Sequence, residues 1–161
     1  MDETAVVDAS PFIFLSRANH LDLLHSIYGK ILIPRAVAEE ILAMGPHDVS
    51  AAALTNCHLS EIVPSPPIPA SIRRWGLGPG ESSVLALVLP NPQMIVIMDD
   101  LAGRRCADAK GLKTRGTLGI VLLARKRGLI RSARATMEEL IRSGLYLSQP
   151  VLDEALRRVG E

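Results

Sequence analysis

The chain has 161 residues, enough for one compact domain that buries about two-thirds of the surface of its extended form. Hydrophobic residues make up 48%, which predicts a well-formed core and excludes a disordered chain. Aromatic residues make up only 3%, so the core is expected to be aliphatic, and a base-stacking platform is disfavoured. With 18 basic and 17 acidic residues the net charge is +1, so any nucleic-acid binding must come from a local basic patch.

The cysteine count and the N-terminus bear on the compartment. Two cysteines, Cys57 and Cys106, are too few for a disulfide framework or a Cys-rich zinc site, which suits a reducing cytosol. The start of the chain has no signal-peptide pattern, and no apolar stretch approaches the ~20 residues of a membrane span. We therefore expect a cytoplasmic protein with no membrane segment.

Strand-like and helix-like segments alternate along the chain. Short apolar runs predict strands at 5–7, 31–33, 59–63 and 94–98. Ser10-Pro11 predicts the first helix start, with Ser10 as N-cap and Pro11 as the first helical residue. Further helices are predicted at 34–44, 48–54, 78–89, 101–110, 117–128, 133–143 and 150–159.

This alternation predicts an α/β fold, a three-layer α/β/α sandwich with a central, mostly parallel sheet of four to five strands. We expect one domain over residues 1–161, with the helix at about 150–159 as an appendage. In open parallel sheets the functional site lies at the carboxyl ends of the strands.

Carboxylates follow two of the predicted strands. Asp8 ends the first strand, and Asp99 and Asp100 end the most apolar one. Each of them could instead cap the helix that follows, because aspartate is a preferred N-cap residue. For each of these aspartates, a functional role at the sheet edge and a helix-capping role both remain open at this point.

Two glutamates on predicted helices complete the acidic set. Glu81 lies in a first helical turn and shares a face with Val84 and Leu85, an unusual position for a merely solvated glutamate. In the helix after the second strand, the helical period directs Glu39 away from the core and places Glu40 at the edge of the buried stripe. We therefore select Glu40.

Four or five carboxylates at one sheet edge would repel one another. A divalent cation relieves that repulsion, and Mg²⁺ or Mn²⁺ prefers oxygen ligands, often one or two carboxylates with waters. Such metals activate water for in-line phosphoryl displacement. The constellation therefore indicates phosphodiester hydrolysis.

A basic cluster follows the paired aspartates. It is either a solvated helix face or a cradle for RNA phosphates beside the metals. Its members are Arg104, Arg105, Lys110, Lys113 and Arg115.

Several segments together resemble the PIN domain, the nuclease fold of VapC-type toxins in toxin–antitoxin pairs. The segments are Val6-Val7-Asp8-Ala9-Ser10, Ile33-Pro34-Arg35-Ala36-Val37-Ala38-Glu39-Glu40-Ile41, Gly78-Pro79-Gly80-Glu81, Ile97-Met98-Asp99-Asp100 with Arg104, and Arg115-Gly116-Thr117-Leu118-Gly119. They are similar to a subgroup with a paired aspartate after the fourth strand, and the similarity covers about residues 4–148.

The resemblance implies roles for particular side chains. Asp8, Glu40, Glu81 and Asp100 become metal ligands, with Asp99 as neighbour or substitute. The Ser10 hydroxyl would orient a water or the first aspartate, and Thr117 would act similarly, unless it is a plain N-cap.

The sequence departs from the family pattern at two positions. Glu81 stands where many members have aspartate, which changes the reach of the carboxylate. Met98 stands where many have threonine, which leaves the choice between Asp99 and Asp100 open, although the spacing to Arg104 favours Asp100.

The functional interpretation is a Mg²⁺- or Mn²⁺-dependent endoribonuclease, the toxin of a toxin–antitoxin pair, with a cognate antitoxin as partner. The resemblance and the apolar N-terminal helices also suggest a homodimer; the apolar residues are Phe12, Ile13, Phe14, Leu15, Leu23, Leu24 and Ile27. The alternatives are a non-catalytic PIN-like binding module and a phosphatase of another α/β class. That phosphatase class usually carries Asp-x-Asp, which Asp8-Ala9-Ser10 lacks.

Overall fold

The centre of the molecule is a five-stranded parallel sheet. The computed structural model describes residues 3–56 and 58–161. Its strands are β1 (Thr4–Val7), β2 (Lys30–Pro34), β3 (Ser60–Val63), β4 (Ile95–Ile97) and β5 (Lys113–Arg115). They are ordered β3-β2-β1-β4-β5, and every neighbouring pair is parallel.

Helices connect the strands and cover the sheet. Those of the described residues are α1 (Ala9–Arg17), α2 (Asp22–Ile27), α3 (Arg35–Leu42), α4 (Val49–Asn56), α5 (Ala70–Arg73), α6 (Pro79–Val88), α7 (Leu101–Ala109), α8 (Thr117–Lys126), α9 (Ala133–Arg142) and α10 (Gln149–Arg157). The arrangement is the α/β/α sandwich that the alternating pattern predicted.

The strand order reverses at β1. From β1 the chain moves outward through β2 to β3 on one side, then crosses to β4 and β5 on the other. In open α/β sheets this reversal opens a crevice at the carboxyl ends of the two strands involved. Here those strands are β1 and β4, which pair with Val7 opposite Ile97.

The burial pattern agrees with this order. The three residues of β4 are all buried, as its unbroken apolar sequence predicts for a central strand. The edge strand β3 is partly exposed. Beyond the sheet, Leu152 and Leu156 of α10 are buried in the same hydrophobic core as the strands.

Two local predictions were wrong. The first helix starts at Ala9 with Asp8 as its N-cap residue, so Ser10 is not the cap. Pro11 is the third helical residue, where it is tolerated because the first four N–H groups of a helix have no intrahelical partner. The second error is an omission: β5 was not predicted as a strand, because Lys113, Thr114 and Arg115 show no apolar pattern.

The apolar side chains of α1 and α2 pack into the chain's own core. Phe12, Leu15 and Leu24 are fully buried, Leu23 and Ile27 nearly so, and Ile13 and Phe14 pack against the core. These residues therefore do not form an exposed apolar face for a second copy.

Two further sequence features concern cysteine and the membrane. Cys106 is a free, buried cysteine of α7, and burial raises the pKa of its thiol; Cys57 lies outside the described residues. No helix among the described residues is both long and apolar enough to span a bilayer.

Candidate metal-binding nuclease site

Asp8 lies at the switch point of the sheet. It follows β1 directly, and its backbone N–H donates to the Ile97 carbonyl oxygen of β4 at 2.9 Å. The side chain is only 3% exposed. Although Asp8 occupies the N-cap position of α1, its carboxylate makes no capping hydrogen bond. Helix capping therefore does not account for this buried aspartate.

The charge state of Asp8 is strongly perturbed. Oδ1 is buried and has no hydrogen-bond partner within residues 3–56 and 58–161. Burial raises the pKa of this carboxyl from 3.8 to about 7; the Ala9 N–H opposes the rise, and the charges of Glu81, Glu40 and Asp99 add to it. The four carboxylates therefore share one electrostatic environment.

Glu40 is positioned by α3 and α6 together. The structure leaves Glu39 exposed and Glu40 partly buried, as the helical period predicts. Glu40 Oε1 accepts a hydrogen bond from the Gly80 N–H at 3.1 Å. Burial and the Glu81 charge raise the pKa of the Glu40 carboxyl, while the Gly80 N–H lowers it.

Glycines allow the two glutamates to lie close to the backbone of α6. A Cβ at Gly80 would lie 2.5 Å from Glu40 Oε1, and one at Gly78 would lie 2.6 Å from Glu81 Oε2. Both distances are shorter than real Cβ contacts allow. Neither glycine was predicted from the sequence to be part of the site. Their position in Gly78-Pro79-Gly80, directly before Glu81, is the feature that could have indicated it.

The two neighbouring aspartates, Asp99 and Asp100, have different hydrogen-bond partners. Asp99 Oδ1 accepts from the Thr117 N–H and Oδ2 from the Thr117 hydroxyl, both at 2.7 Å. Asp100 is exposed, and its Oδ2 accepts from the Gly103 N–H at 2.7 Å as the N-cap of α7. Asp99 contributes to the charge around Asp8, and Asp100 is not among the groups that do so. The structure thus groups Asp99 with the other acids.

Thr117 is fully buried at the start of α8 and holds Asp99 in place. The plain N-cap alternative is wrong, because the N-cap residue of α8 is Gly116. A Cβ at Gly116 would lie 3.0 Å from Asp99 Oδ1, a close approach that glycine permits. Ser10 lies partly buried in the first turn of α1, two residues after Asp8.

A cleft of about 780 Å³ adjoins the acids. Asp99 lies in its wall together with Arg104 and Arg115 from the predicted basic cluster. The other three members of that cluster do not line it; Arg105 and Lys113 are exposed, and Lys110 is partly exposed. Several residues of 114–122, from β5 to α8, form another part of the wall. The segment before α10, α10 itself and Arg158 complete it, a contribution that was not predicted from the sequence.

The donor set fits a hard divalent cation in its chemistry. In the part of the chain that the structure describes, no three Asp, Glu, His or Cys side chains are placed to hold one ion jointly. Asp8 Oδ1, however, is a buried oxygen without a partner, beside three other carboxylates that raise its pKa. A cation satisfies such an oxygen and offsets such repulsion, and Mg²⁺ needs only one or two direct carboxylates when waters complete its shell.

Comparison with known proteins identifies the family of the chain. Residues 4–161 match a family model described as a PIN domain, and the chain belongs to that nuclease family. A search of the curated proteins gave no match.

Proposed function

We propose that this protein is a metal-dependent endoribonuclease that hydrolyses phosphodiester bonds of RNA with Mg²⁺ or Mn²⁺. The observation that carries the proposal is the buried, unpartnered Asp8 Oδ1 beside Glu40, Glu81 and Asp99. Solely structural carboxylates are normally paired or hydrogen-bonded, whereas carboxyls with strongly shifted pKa values are typical of functional sites. PIN-domain membership supports nuclease chemistry, and the resemblance to VapC-type toxins supports RNA as substrate.

The proposed ligand set is Asp8, Glu40, Glu81 and Asp99. A bound cation would lower the pKa of a water and stabilise the charge on the leaving oxygen. The chain's own residues orient the acids: Thr117 fixes both oxygens of Asp99, and the Gly80 N–H fixes Oε1 of Glu40. Asp100 would support the site by capping α7, and Ser10 is proposed to orient Asp8 or a water.

Basic residues would bind the substrate backbone. Arg104 and Arg115 line the cleft beside Asp99, and neither forms an ion pair with a described carboxylate. Their charges are therefore available to RNA phosphates. Arg105, Lys110 and Lys113 extend the proposed RNA contact outside the cleft.

The paired acids provide matched variants for a test. A pool of labelled single-stranded RNAs is incubated with Mg²⁺, Mn²⁺ or a chelator, and cleavage is followed by gel. We expect metal-stimulated cleavage that Asp99→Asn abolishes and Asp100→Asn preserves, since asparagine also caps a helix well. Likewise Glu40→Gln should strongly reduce cleavage without abolishing it, and the exposed Glu39→Gln should leave cleavage unchanged.

The main competing function is a non-catalytic PIN-like binding module, which the lack of a preassembled three-ligand group among the described residues favours. That module would bind RNA without cleaving it, and its binding would be indifferent to Asp99→Asn. Absence of metal-stimulated cleavage across the pool, in protein freed of any inhibitor, would establish this alternative.

The toxin role and the partners are finer proposals that rest on the resemblance. We propose that expression of the protein arrests growth, that Asp8→Asn does not, and that a small protein encoded next to it acts as antitoxin. A homodimer also remains a proposal, now without support from α1 and α2. Light scattering of the purified chain would show a doubled mass if it forms.

A further inference from the structure

The cleft beside Asp99 is lined by two chemically different kinds of residue. Some are charged, among them Asp99, Arg104 and Arg115, and others are apolar, among them Leu145, Leu147 and Val151 of α10. Its volume of about 780 Å³ lies within the range of ~300–1,000 Å³ typical of small-ligand sites. An elongated ligand with an anionic and an apolar part fits this division.

Tyr146 is the most exposed aromatic residue of the chain. The chain has two Phe, two Tyr and one Trp. Phe12 and Tyr28 are buried, Phe14 is partly buried, and Trp75 is 40% exposed. Tyr146, in the segment between α9 and α10, lines the cleft and is 89% exposed. An aromatic ring presented this openly at a cleft wall is suited to stacking on a planar group.

The charges of the cleft complement a nucleic-acid strand. Arg104 and Arg115 line the cleft with Asp99 and form no ion pairs with described carboxylates. Arg158, directly after α10, also lines it and is 3.9 Å from Glu154, an acidic residue of the same wall. An exposed pair at that separation contributes little, so the Arg158 charge remains available. Phosphates of one strand could therefore be bound on both sides of an unstacked base.

Resting on the function proposed above, we propose that this cleft binds one unpaired nucleoside of the RNA next to the scissile phosphate. Tyr146 stacks on the base, Leu145 and Leu147 contact its edges, and Arg104 and Arg115 bind the adjoining phosphates. A base in this position must leave its helical stack, so the cleft selects single-stranded over double-stranded RNA. Tyr146 thereby acts as a specificity-determining residue.

Binding measured without catalysis tests this site. Fluorescence anisotropy of a labelled single-stranded RNA is recorded in chelator, which prevents cleavage. Stacking on an aromatic ring contributes about 1–3 kcal/mol per base, so Tyr146→Ala should weaken binding by roughly 5- to 100-fold. Tyr146→Phe keeps the ring and should bind within about twofold of the unmodified protein.

Two controls isolate the stacked base. Trp75→Ala removes an exposed aromatic that does not line the cleft and should leave binding unchanged. An abasic site is then moved along the RNA, and one position should weaken binding by the unmodified protein yet have no further effect with Tyr146→Ala. Duplex RNA should bind less tightly and should not respond to Tyr146→Ala.

The outcomes separate this inference from the nuclease proposal. Equal binding by Tyr146→Ala and the unmodified protein, or equal loss in Tyr146→Ala and Tyr146→Phe, overturns the stacking site while leaving cleavage intact. A lower mass of Tyr146→Ala by light scattering, with RNA binding unchanged, assigns the cleft to self-association and also overturns it. Selective loss of RNA binding without any cleavage supports the site and counts against the nuclease. Absence of RNA binding by the unmodified protein overturns the site.

Discussion

Asp8 is kept in an environment that favours its neutral form when no cation is bound. Its pKa rises from 3.8 to about 7, mainly through burial. Between these values the unfolded chain ionises Asp8 while the folded protein keeps the proton. The residue therefore lowers the free energy of unfolding progressively as pH rises from about 4 to 7, by up to about 4 kcal/mol.

This leads to a prediction for Asp8→Asn in chelator. The variant has no titratable group at this position, so it should match the unmodified protein in stability near pH 4, exceed it increasingly up to about pH 7, and keep a constant advantage above that. Urea unfolding monitored by circular dichroism at several pH values measures the difference. Added Mn²⁺ should stabilise the unmodified protein more than the variant, because a ligand stabilises the folded state according to its affinity.

Asp100→Asn provides the comparison, since its carboxylate is exposed and caps α7. It should keep the Mn²⁺-induced stabilisation. If Asp8→Asn kept full activity and an undiminished response to Mn²⁺, Asp8 would not be a metal ligand.

At the scale of single elements, strands with an apolar signal were predictable. The apolar runs before Asp8 and Asp99 predicted β1 and β4, and the parallel sheet brings both aspartates to the same edge. The polar β5 gave no such signal, because its place at the sheet edge depends on pairing with β4 rather than on its own composition.

The different hydrogen-bond partners of Asp99 and Asp100 could not be predicted from the sequence. Both follow β4 and precede α7, and either type of residue can cap a helix. Their roles are set by Thr117, which is 18 residues farther along the chain and reaches Asp99 only because β4 and β5 pair. A contact between distant segments, not a local pattern, therefore distinguishes them.

At the start of α6, Gly80 leaves room for the Glu40 carboxylate, although alanine would favour the helix more. Gly80→Ala would place a Cβ 2.5 Å from Glu40 Oε1, at the end of a flexible side chain that can move away. We expect stability to change by less than about 1 kcal/mol, because alanine is also the better helix former. Cleavage should nevertheless fall at least about tenfold, since Glu40 loses its position.

A double variant checks the cause of that loss. In a Glu40→Gln background, whose activity is already low, Gly80→Ala should have little further effect, because both changes act on one interaction. Additive losses in the cleavage assay would instead point to a general disturbance of α6.

On the scale of the whole molecule, the candidate site is assembled from residues far apart in sequence. Asp8, Glu40, Glu81 and Asp99 come from four segments that meet only in the folded sheet, and the adjoining cleft adds α8 and the segment up to α10. Net charge is only +1, so the proposed RNA binding would depend on where the arginines lie. Because α10 helps to line the cleft, its position would affect that proposed binding.

Glu161 joins α10 to the remainder of the protein. Its side chain accepts hydrogen bonds from the Ser132 hydroxyl and the Ala133 N–H, both at 2.7 Å, at the start of α9. It also lies 3.5 Å from Arg125 of α8. These hydrogen bonds, with the Arg125 charge, lower the pKa of the Glu161 carboxyl, although its partial burial opposes them.

We predict that Glu161→Gln destabilises the protein at neutral pH by about 1 kcal/mol, the usual value of a helix-capping contact, and lowers the melting temperature by about 2–4 °C. Because the pKa of Glu161 is lowered, the ionised carboxylate stabilises the folded state fully at pH values above 4.5, the ordinary pKa of the group. This stabilisation is lost as the pH falls through the lower pKa of the folded protein. The difference between Glu161→Gln and the unmodified protein should therefore vanish in acid. Glu154→Gln, which removes only exposed ion pairs to Arg157 and Arg158, should change the melting temperature by less than about 1 °C at either pH. A melting temperature of Glu161→Gln equal to that of Glu154→Gln at neutral pH would mean that Glu161 does not hold α10 against α9.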